Sequence, residues 1–133
     1  TASIIANTFS IITNLSKSHE ALKNNLIKYD LDNKCVSLKS IEVPILDMET
    51  MSQSNVKKLE SEINRTIVED NPEAIIITSP GILNLTKTFS DRFNIPIVEG
   101  VSAAATLLET LSKQNLKIKK FSSPPNKNYG IPI

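Results

Sequence analysis

The sequence predicts an α/β fold with a small parallel four-stranded sheet flanked by helices. Two observations lead to this prediction. Short runs of β-branched residues alternate along the chain with segments of helical spacing, and the strand-like runs end in small polar residues. Alternating strands and helices favour a parallel sheet with helices on both faces, joined by right-handed crossovers.

The first strand is predicted over 8–13, where aromatic and β-branched residues dominate. A helix follows from about 15 to 29, with Ser16 or Ser18 as its cap. His19 lies in its first turn and is interpreted as a surface residue rather than a catalytic one. The buried stripe of this helix is expected to consist of Leu22, Leu26 and Tyr29.

A strand near the sheet edge is predicted over 35–43, because its side chains alternate and Pro44 ends it. Cys35, at its start, is interpreted as a small buried hydrophobe. The next helix is predicted over 53–69, with charged side chains facing water. Its buried stripe is expected to consist of Val56, Leu59, Ile63 and Ile67.

The segment 74–81, Ala-Ile-Ile-Ile-Thr-Ser-Pro-Gly, is the centre of the predicted fold. Its apolar half predicts a short buried strand, and its polar half leads into a helix over 82–93. A fourth strand is predicted over 94–98. The helix that follows, 101–111, is rich in small residues that can pack closely on a sheet.

The 133-residue chain is long enough for one domain with a sizeable core. We expect 1–115 to form one α/β lobe and 116–133, which is basic and then Pro-rich, to form an extended tail.

A net charge of +1 gives no indication of nucleic acid as a partner. No stretch approaches the roughly 20 apolar residues of a membrane helix. A single cysteine suits a reducing compartment, so a cytoplasmic location is expected, and a single histidine leaves no zinc cluster.

In a parallel sheet, the carboxyl ends of the strands meet at one edge, and ligands of α/β proteins bind there. Three predicted strand ends carry polar residues that suit a small anionic or imide-like ligand, because they offer hydroxyls, an amide and backbone N–H groups. These candidate binding residues are Thr13, Asn14, Thr78, Ser79, Pro80, Gly81, Glu99 and Gly100. A purely structural interpretation is also open, in which Ser79 caps the next helix and Pro80 is its first residue.

Several stretches together resemble the hydantoin racemase group, which includes allantoin racemase, of the aspartate/glutamate racemase superfamily. The stretch 9–15, Phe-Ser-Ile-Ile-Thr-Asn-Leu, resembles the strand that opens the second lobe of those enzymes, and 35–47 resembles the segment after its first helix. Residues 78–81 and 95–100 match the family's Gly-Cys-Ala-Gly and Val-Pro-Val-Val-Asp-Gly motifs in order and spacing. The Pro-rich stretch 124–130 is similar to the family's C-terminal tail.

The resemblance implies an isomerase of nitrogen metabolism, namely a cofactor-independent racemase of hydantoins, allantoin or amino-acid derivatives. Family enzymes have two pseudo-symmetric lobes, each supplying one cysteine, with the small-molecule substrate between them. This chain resembles the second lobe and the tail, so an N-terminal lobe is the expected missing partner. The family's second catalytic cysteine falls at Ser79. The sequence leaves the oligomeric state open, a homo-oligomer included.

The serine divides the functional interpretation into two hypotheses. Racemisation removes a proton from one face of a carbon and returns one to the other face, and two thiols can perform both steps. A serine hydroxyl needs a partner base to do so, and Glu99 is the only carboxylate predicted at the same edge. The chain is therefore either part of an active racemase or a catalytically inactive, truncated or ligand-binding remnant of that family.

Overall fold

The structure is a computed structural model that describes residues 1–44, 47 and 52–116. Four strands form one parallel sheet in the order β2–β1–β3–β4. The strands are β1 (Phe9–Thr13), β2 (Cys35–Ser40), β3 (Ala74–Ile77) and β4 (Ile97–Glu99). The helices are α1 (Ala2–Ile5), α2 (His19–Lys28), α3 (Gln53–Asp70), α4 (Thr86–Phe93) and α5 (Gly100–Lys113), with 3-10 helices at Ser16–Ser18, Asp32–Lys34 and Pro80–Leu85.

One face of the sheet packs against α3 and α4. Helix α3 starts at the cap residue Ser52, whose hydroxyl accepts a hydrogen bond from the N–H of Asn55 at 3.2 Å. It ends at Asn71, whose φ of 45° is in the left-handed region that asparagine tolerates. The predicted stripe of α3 is confirmed, since Leu59 and Ile63 have no exposed surface. The core on this face consists of Ile12, Val43, Leu59, Ile63, Ile75, Ile77, Ile82, Phe89, Ile95 and Ile97.

The opposite face is covered by α1 and α2, mainly over β1 and β2. Phe9, Ile11 and Ala74 are buried there. Toward the other edge, Ile76 of β3 and Val98 of β4 are only half-buried. Helices on both faces of a parallel sheet confirm the predicted α/β class, and the cover over β3 and β4 on this second face is incomplete.

The region around α2 differs from the sequence prediction in two ways. Tyr29 is 64% exposed rather than part of the buried stripe, because the helix ends at Lys28 and Tyr29 is already its C-terminal cap. His19 is half-buried rather than on the surface. Cys35 is half-buried and packs against the second core cluster, and burial raises the pKa of its thiol. It therefore behaves as the predicted small hydrophobe, although it is not fully enclosed.

The last two elements also differ from the prediction. Strand β4 begins at Ile97 instead of residue 94, because Asn94 is the left-handed cap of α4 with a φ of 50°. The expectation that α5 packs closely on the sheet is wrong, since none of its residues is buried. No helix in the described part of the chain is long and apolar enough to cross a membrane. Residues 117–133, which make up nearly all of the predicted tail, lie outside the described residues.

Candidate functional site

The strand order places the carboxyl ends of β1, β3 and β4 side by side. Ile12 of β1 is level with Ile77 of β3, and Ile77 is level with Glu99 of β4. The N–H of Thr78 donates to the carbonyl of Ile12 at 3.1 Å, which extends the ladder one residue beyond β3. The polar strand ends at Thr13, Thr78 and Glu99 therefore share one edge of the sheet.

Asn14 is buried and holds the segment after β2 in place. Its Nδ2 donates to the carbonyl of Val43 at 3.3 Å, and its own carbonyl accepts from the N–H of Val43 at 3.0 Å. The carbonyl of Thr13 accepts from the N–H of Ile41 at 3.1 Å. The amide nitrogen of Asn14 is thus engaged within the protein, although the residue also lines a cleft at this edge, and its binding of substrate stays a prediction. Its structural role here is to position the edge of the site.

Ser79 is the most unusual polar residue at this edge. It is 1% exposed and occupies the cap position of the 3-10 helix that begins with Pro80 and Gly81, as the structural interpretation of the sequence requires. Its hydroxyl, however, makes no capping bond, and Oγ has no hydrogen-bond partner among the described residues. A buried hydroxyl without a partner costs about 1–3 kcal/mol of stability. Capping therefore explains why Ser79 lies at this position, but it does not explain why its hydroxyl is buried without a hydrogen bond.

Glu99 is fully engaged as the cap of α5. Its carboxylate accepts from the N–H of Val101 at 2.7 Å and from both the N–H and the hydroxyl of Ser102 at 2.9 Å. Burial would raise the pKa of Glu99, but these hydrogen bonds outweigh it and lower the pKa below its ordinary value. Glu99 is therefore an ionised structural group, which is a poor starting point for a general base.

A cleft of about 310 Å³ opens between this edge and the start of α2. Thr13, Asn14 and Thr78 line it from the sheet, and Lys17 and Ser18 line it from the 3-10 helix after β1. Lys17 was not identified from the sequence. The available signal was its position in the first turn after β1, where the chain leaves the carboxyl edge. Its ammonium group supplies a positive charge to a cleft whose other lining residues are uncharged, both polar and apolar.

Thr78 lines a second groove as well. This groove, of about 560 Å³, runs from Thr78, Glu99 and Gly100 along α5. Gly100 is the first residue of α5, and a Cβ added to it would meet nothing within 4 Å. Thr78, which is exposed, is thus the residue where the cleft and the groove meet.

The described residues contain no group of three His, Cys, Asp or Glu side chains that could hold a metal ion. The second buried polar atom without a partner in this part of the chain is Nε2 of His19. His19 lines a separate cleft, of about 400 Å³, with Lys23, Asp32 and Cys35 between α2 and β2. The carboxyl edge around Thr78 and Ser79 is the candidate site because the polar ends of β1, β3 and β4 meet there.

Comparison with known proteins gives a consistent result. The family model for Asp/Glu/Hydantoin racemase matches residues 1–108. The hydantoin racemase of Pseudomonas sp. (strain NS671) is 27% identical over 131 residues, covering 96% of this chain and 53% of that protein. The allantoin racemase of Klebsiella pneumoniae superimposes with a TM-score of 0.87 at 29% identity, covering 95% of this chain and 53% of that one.

Another hydantoin racemase, from Rhizobium meliloti, is 29% identical over 110 residues, which is 83% of this chain and 46% of that protein. The chain thus spans about half the length of the relatives that it matches. The family model, by contrast, accounts for most of this chain, from the first residue into α5. The chain therefore belongs to the Asp/Glu/hydantoin racemase family.

Proposed function

We propose that this chain is one lobe of a cofactor-independent racemase of hydantoins, allantoin or related amino-acid derivatives. The observation that carries the proposal is the hydroxyl of Ser79, buried without a partner at the carboxyl edge, inside the stretch that the family model matches. A polar group left unpaired at such an edge suits a partner supplied by a ligand. A cytoplasmic role in nitrogen metabolism is part of the proposal. The free cysteine, Cys35, suits the reducing compartment, and the metabolic role follows from the family resemblance alone.

The proposed reaction needs a proton-transfer group on each face of the substrate carbon. One group takes the proton as the C–H bond breaks, and the electron pair moves onto the neighbouring carbonyl. The other group then protonates the opposite face. A thiol, with a reference pKa of about 8.5, can serve in either role. In this chain Ser79 stands where the resemblance places a cysteine, so position 79 is where we place the proton-transfer group of this lobe. The serine hydroxyl itself can donate a hydrogen bond to the substrate carbonyl, but it needs a partner base to move a proton.

Charge that develops on the substrate carbonyl needs stabilisation. Lys17 supplies a positive charge in the cleft, and Thr78 supplies an exposed hydroxyl. Fixed charges and donors beside a developing negative charge are the usual means of lowering such a barrier. In the proposed arrangement Lys17 and Thr78 orient the ligand, while Ser79 lies nearest to the reacting carbon.

A catalytically inactive, ligand-binding role is the second candidate. It is favoured by the hydrogen bonding of Glu99, which leaves Ser79 without an available carboxylate base at its edge among the described residues. Under both functions the site binds a hydantoin. They differ in the effect of Ser79→Cys. In a racemase lobe the new thiol restores proton transfer, and in an inactive remnant it does not.

Ligand binding is tested by titrating the ¹⁵N-labelled chain with a 5-alkyl hydantoin and recording backbone amide shifts. We expect shifts that saturate and centre on Thr13, Lys17 and Thr78. Ser79→Ala should weaken binding, because one hydrogen bond to the ligand is lost. Shifts confined to the separate cleft around His19, or no saturable shifts at all, would reject the assignment of the site.

A further inference from the structure

Two separate clefts lie beside helix α2. The cleft at the candidate site contacts Ala21, Leu22 and Asn25, whereas the cleft around His19 lies between α2 and β2. We call this second one the α2–β2 cleft. Its volume of about 400 Å³ lies within the range of about 300–1,000 Å³ that is typical of small-molecule sites. The proposed function makes no use of it.

The α2–β2 cleft contains one cation and one anion that are not paired. Lys23 lines it from α2, and Asp32 lines it from the 3-10 helix before β2. Both residues are exposed. Among the described residues, neither side chain has an ion-pair or hydrogen-bond partner. Two unpaired, opposite charges in one cleft are complementary to a ligand that carries both an anion and a cation.

His19 adds an unsatisfied polar atom to the same cleft. Its side chain is half-buried, and Nε2 has no hydrogen-bond partner among the described residues. His19 is the first residue of α2 and Lys23 lies one turn later, so the two side chains are neighbours on one face of the helix. Buried polar atoms in proteins are nearly always paired. A polar ligand group beside Lys23 supplies the partner that the described chain does not.

The rest of the cleft is apolar. Its aliphatic lining residues are Leu26, Ile27, Val36 and Leu38. Cys35 lines it as well, but burial raises the pKa of its thiol, and Sγ donates to the carbonyl of Ser37 at 3.5 Å. A thiol that stays protonated is a poor nucleophile. The cleft is therefore suited to binding rather than to covalent chemistry.

We propose that the α2–β2 cleft binds a free α-amino acid with an aliphatic side chain. The ligand carboxylate pairs with Lys23 and reaches the imidazole of His19, the ligand ammonium group pairs with Asp32, and the aliphatic side chain packs on Leu26 and Leu38. An amino acid supplies both charges and an apolar group in one small molecule. The inference goes beyond the proposed function and does not depend on it, because the two clefts share no lining residue.

The test begins with an NMR titration of the full ¹⁵N-labelled chain with L-leucine. We expect saturable amide shifts centred on Lys23, Asp32 and Val36, a shift of the Nε2 resonance of His19, and no change at Thr78. The titration is repeated with 4-methylpentanoic acid and with 3-methylbutylamine, which are leucine without its ammonium group and without its carboxylate. Each analogue should bind about fivefold or more weakly, because one charged contact is lost.

Lys23→Gln and Asp32→Asn assign the two charges to the two ends of the ligand. Both residues are exposed, so the variants should keep the fold. Lys23→Gln should remove the preference for leucine over the amine, and Asp32→Asn should remove the preference for leucine over the acid. The controls are Lys28→Gln and Asp30→Asn, which make the same charge changes at exposed residues outside the cleft lining. They should leave the affinity for leucine unchanged.

Equal affinities for leucine and its two analogues, no saturable shifts, or shifts centred on Thr78 would overturn the proposal. A second titration separates this inference from the proposed function. The chain saturated with leucine is titrated with a 5-alkyl hydantoin, whose shifts at Thr13 and Thr78 should be the same as without leucine. Displacement of leucine by the hydantoin would overturn the separate site. Leucine binding without any hydantoin binding would reject the proposed function and retain the amino-acid site.

Discussion

Ser102 donates both its backbone N–H and its hydroxyl to the same carboxylate oxygen of Glu99, each at 2.9 Å. The N–H of Val101 donates to the other carboxylate oxygen at 2.7 Å. A negative charge at the start of a helix is stabilised by the unpaired N–H groups and by the helix dipole. Glu99 is therefore held in its ionised form for a structural purpose, which leaves position 79 as the proposed place for a proton-transfer group at this edge.

Replacing Glu99 with glutamine should weaken the cap and change the acid dependence of stability. The folded-state pKa of Glu99 lies below its ordinary value of 4.5. Its contribution is complete above about that pH and is lost as the pH falls through the lowered pKa. We expect Glu99→Gln to lower the free energy of unfolding by about 1 kcal/mol at pH 7. The loss should shrink at pH 3.

Urea unfolding of both proteins at pH 7 and pH 3 checks this expectation. Glu109→Gln is the matched control, because Glu109 lies exposed on the same helix and only pairs with Lys113. It should cost only a few tenths of a kcal/mol. An equal loss for Glu99→Gln at both pH values would show that the ionised cap does not contribute.

Ser79→Cys should leave the chain as stable as before or more stable. The serine hydroxyl is buried without a partner among the described residues, and a thiol loses less on being removed from water. Ser90→Cys is the control. The hydroxyl of Ser90 accepts from the N–H of Ile97 at 2.9 Å, so its loss should cost about 1 kcal/mol. Thermal melts that rank the two variants in the opposite order would show that the Ser79 hydroxyl has a partner in the folded chain.

A polar network away from the candidate site connects β2 to the end of α3. Ser37 Oγ donates to Asp70 at 2.7 Å and lies 3.0 Å from Ser10 Oγ, and Lys39 contacts Asp70 at 2.9 Å and Glu69 at 2.6 Å. Burial opposes ionisation of both Lys39 and Asp70. The mutual hydrogen bonds outweigh it, raising the pKa of Lys39 and lowering that of Asp70.

This network should stabilise the fold between the ordinary pKa values of the two groups, 3.8 for Asp70 and 10.5 for Lys39. The Asp70 contribution is lost as the pH falls below that window, and the Lys39 contribution as the pH rises above it. Asp70→Asn should cost about 2 kcal/mol at pH 7. Arg65→Gln, which removes an exposed pair with Glu62, should cost under about 1 kcal/mol. Similar losses for both variants in urea unfolding would rule out a special role for Asp70.

Lys17→Gln should weaken the binding of an anionic ligand in the cleft without changing stability. Lys17 is exposed and lines the cleft beside Thr13 and Thr78. Its attraction for an anion is screened by salt, so the wild-type advantage should shrink as the ionic strength rises. Lys58→Gln, an exposed lysine of α3, is the control. Calorimetric titration with N-carbamoyl amino acids, which carry a carboxylate, measures both, and equal affinities would exclude Lys17 from the site.

The sheet could be predicted from the sequence because its signals are local. The run of isoleucines before Thr78 specifies β3, and the helical spacing around Leu59 and Ile63 specifies α3. Parallel pairing then brings the polar strand ends together by topology alone. The placement of Thr13, Thr78 and Glu99 at one edge follows from these elements.

The hydrogen-bond partners of the side chains at the site could not be predicted in the same way. Nothing in the sequence shows that the amide of Asn14 pairs with Val43 or that both oxygens of Glu99 cap α5. Tyr29 fits the helical period but lies just beyond the end of α2. The apolar pattern of α5 predicts burial, but none of its residues is buried in the described structure.

Solvent isotope exchange tests most sharply whether a thiol at position 79, in place of Ser79, is what the site needs to exchange the substrate proton. Each enantiomer of a 5-alkyl hydantoin is incubated in deuterated buffer with the unmodified chain, Ser79→Cys or Ser79→Ala, and a protein-free sample sets the background. NMR follows deuterium at the substrate carbon, and chiral chromatography follows inversion.

We expect no exchange above background for the unmodified chain and for Ser79→Ala. Ser79→Cys should exchange one enantiomer with little inversion, because a single lobe presents its thiol to one face only. Rapid inversion by the unmodified chain, or no exchange by Ser79→Cys while the hydantoin remains bound, would contradict the assignment of position 79.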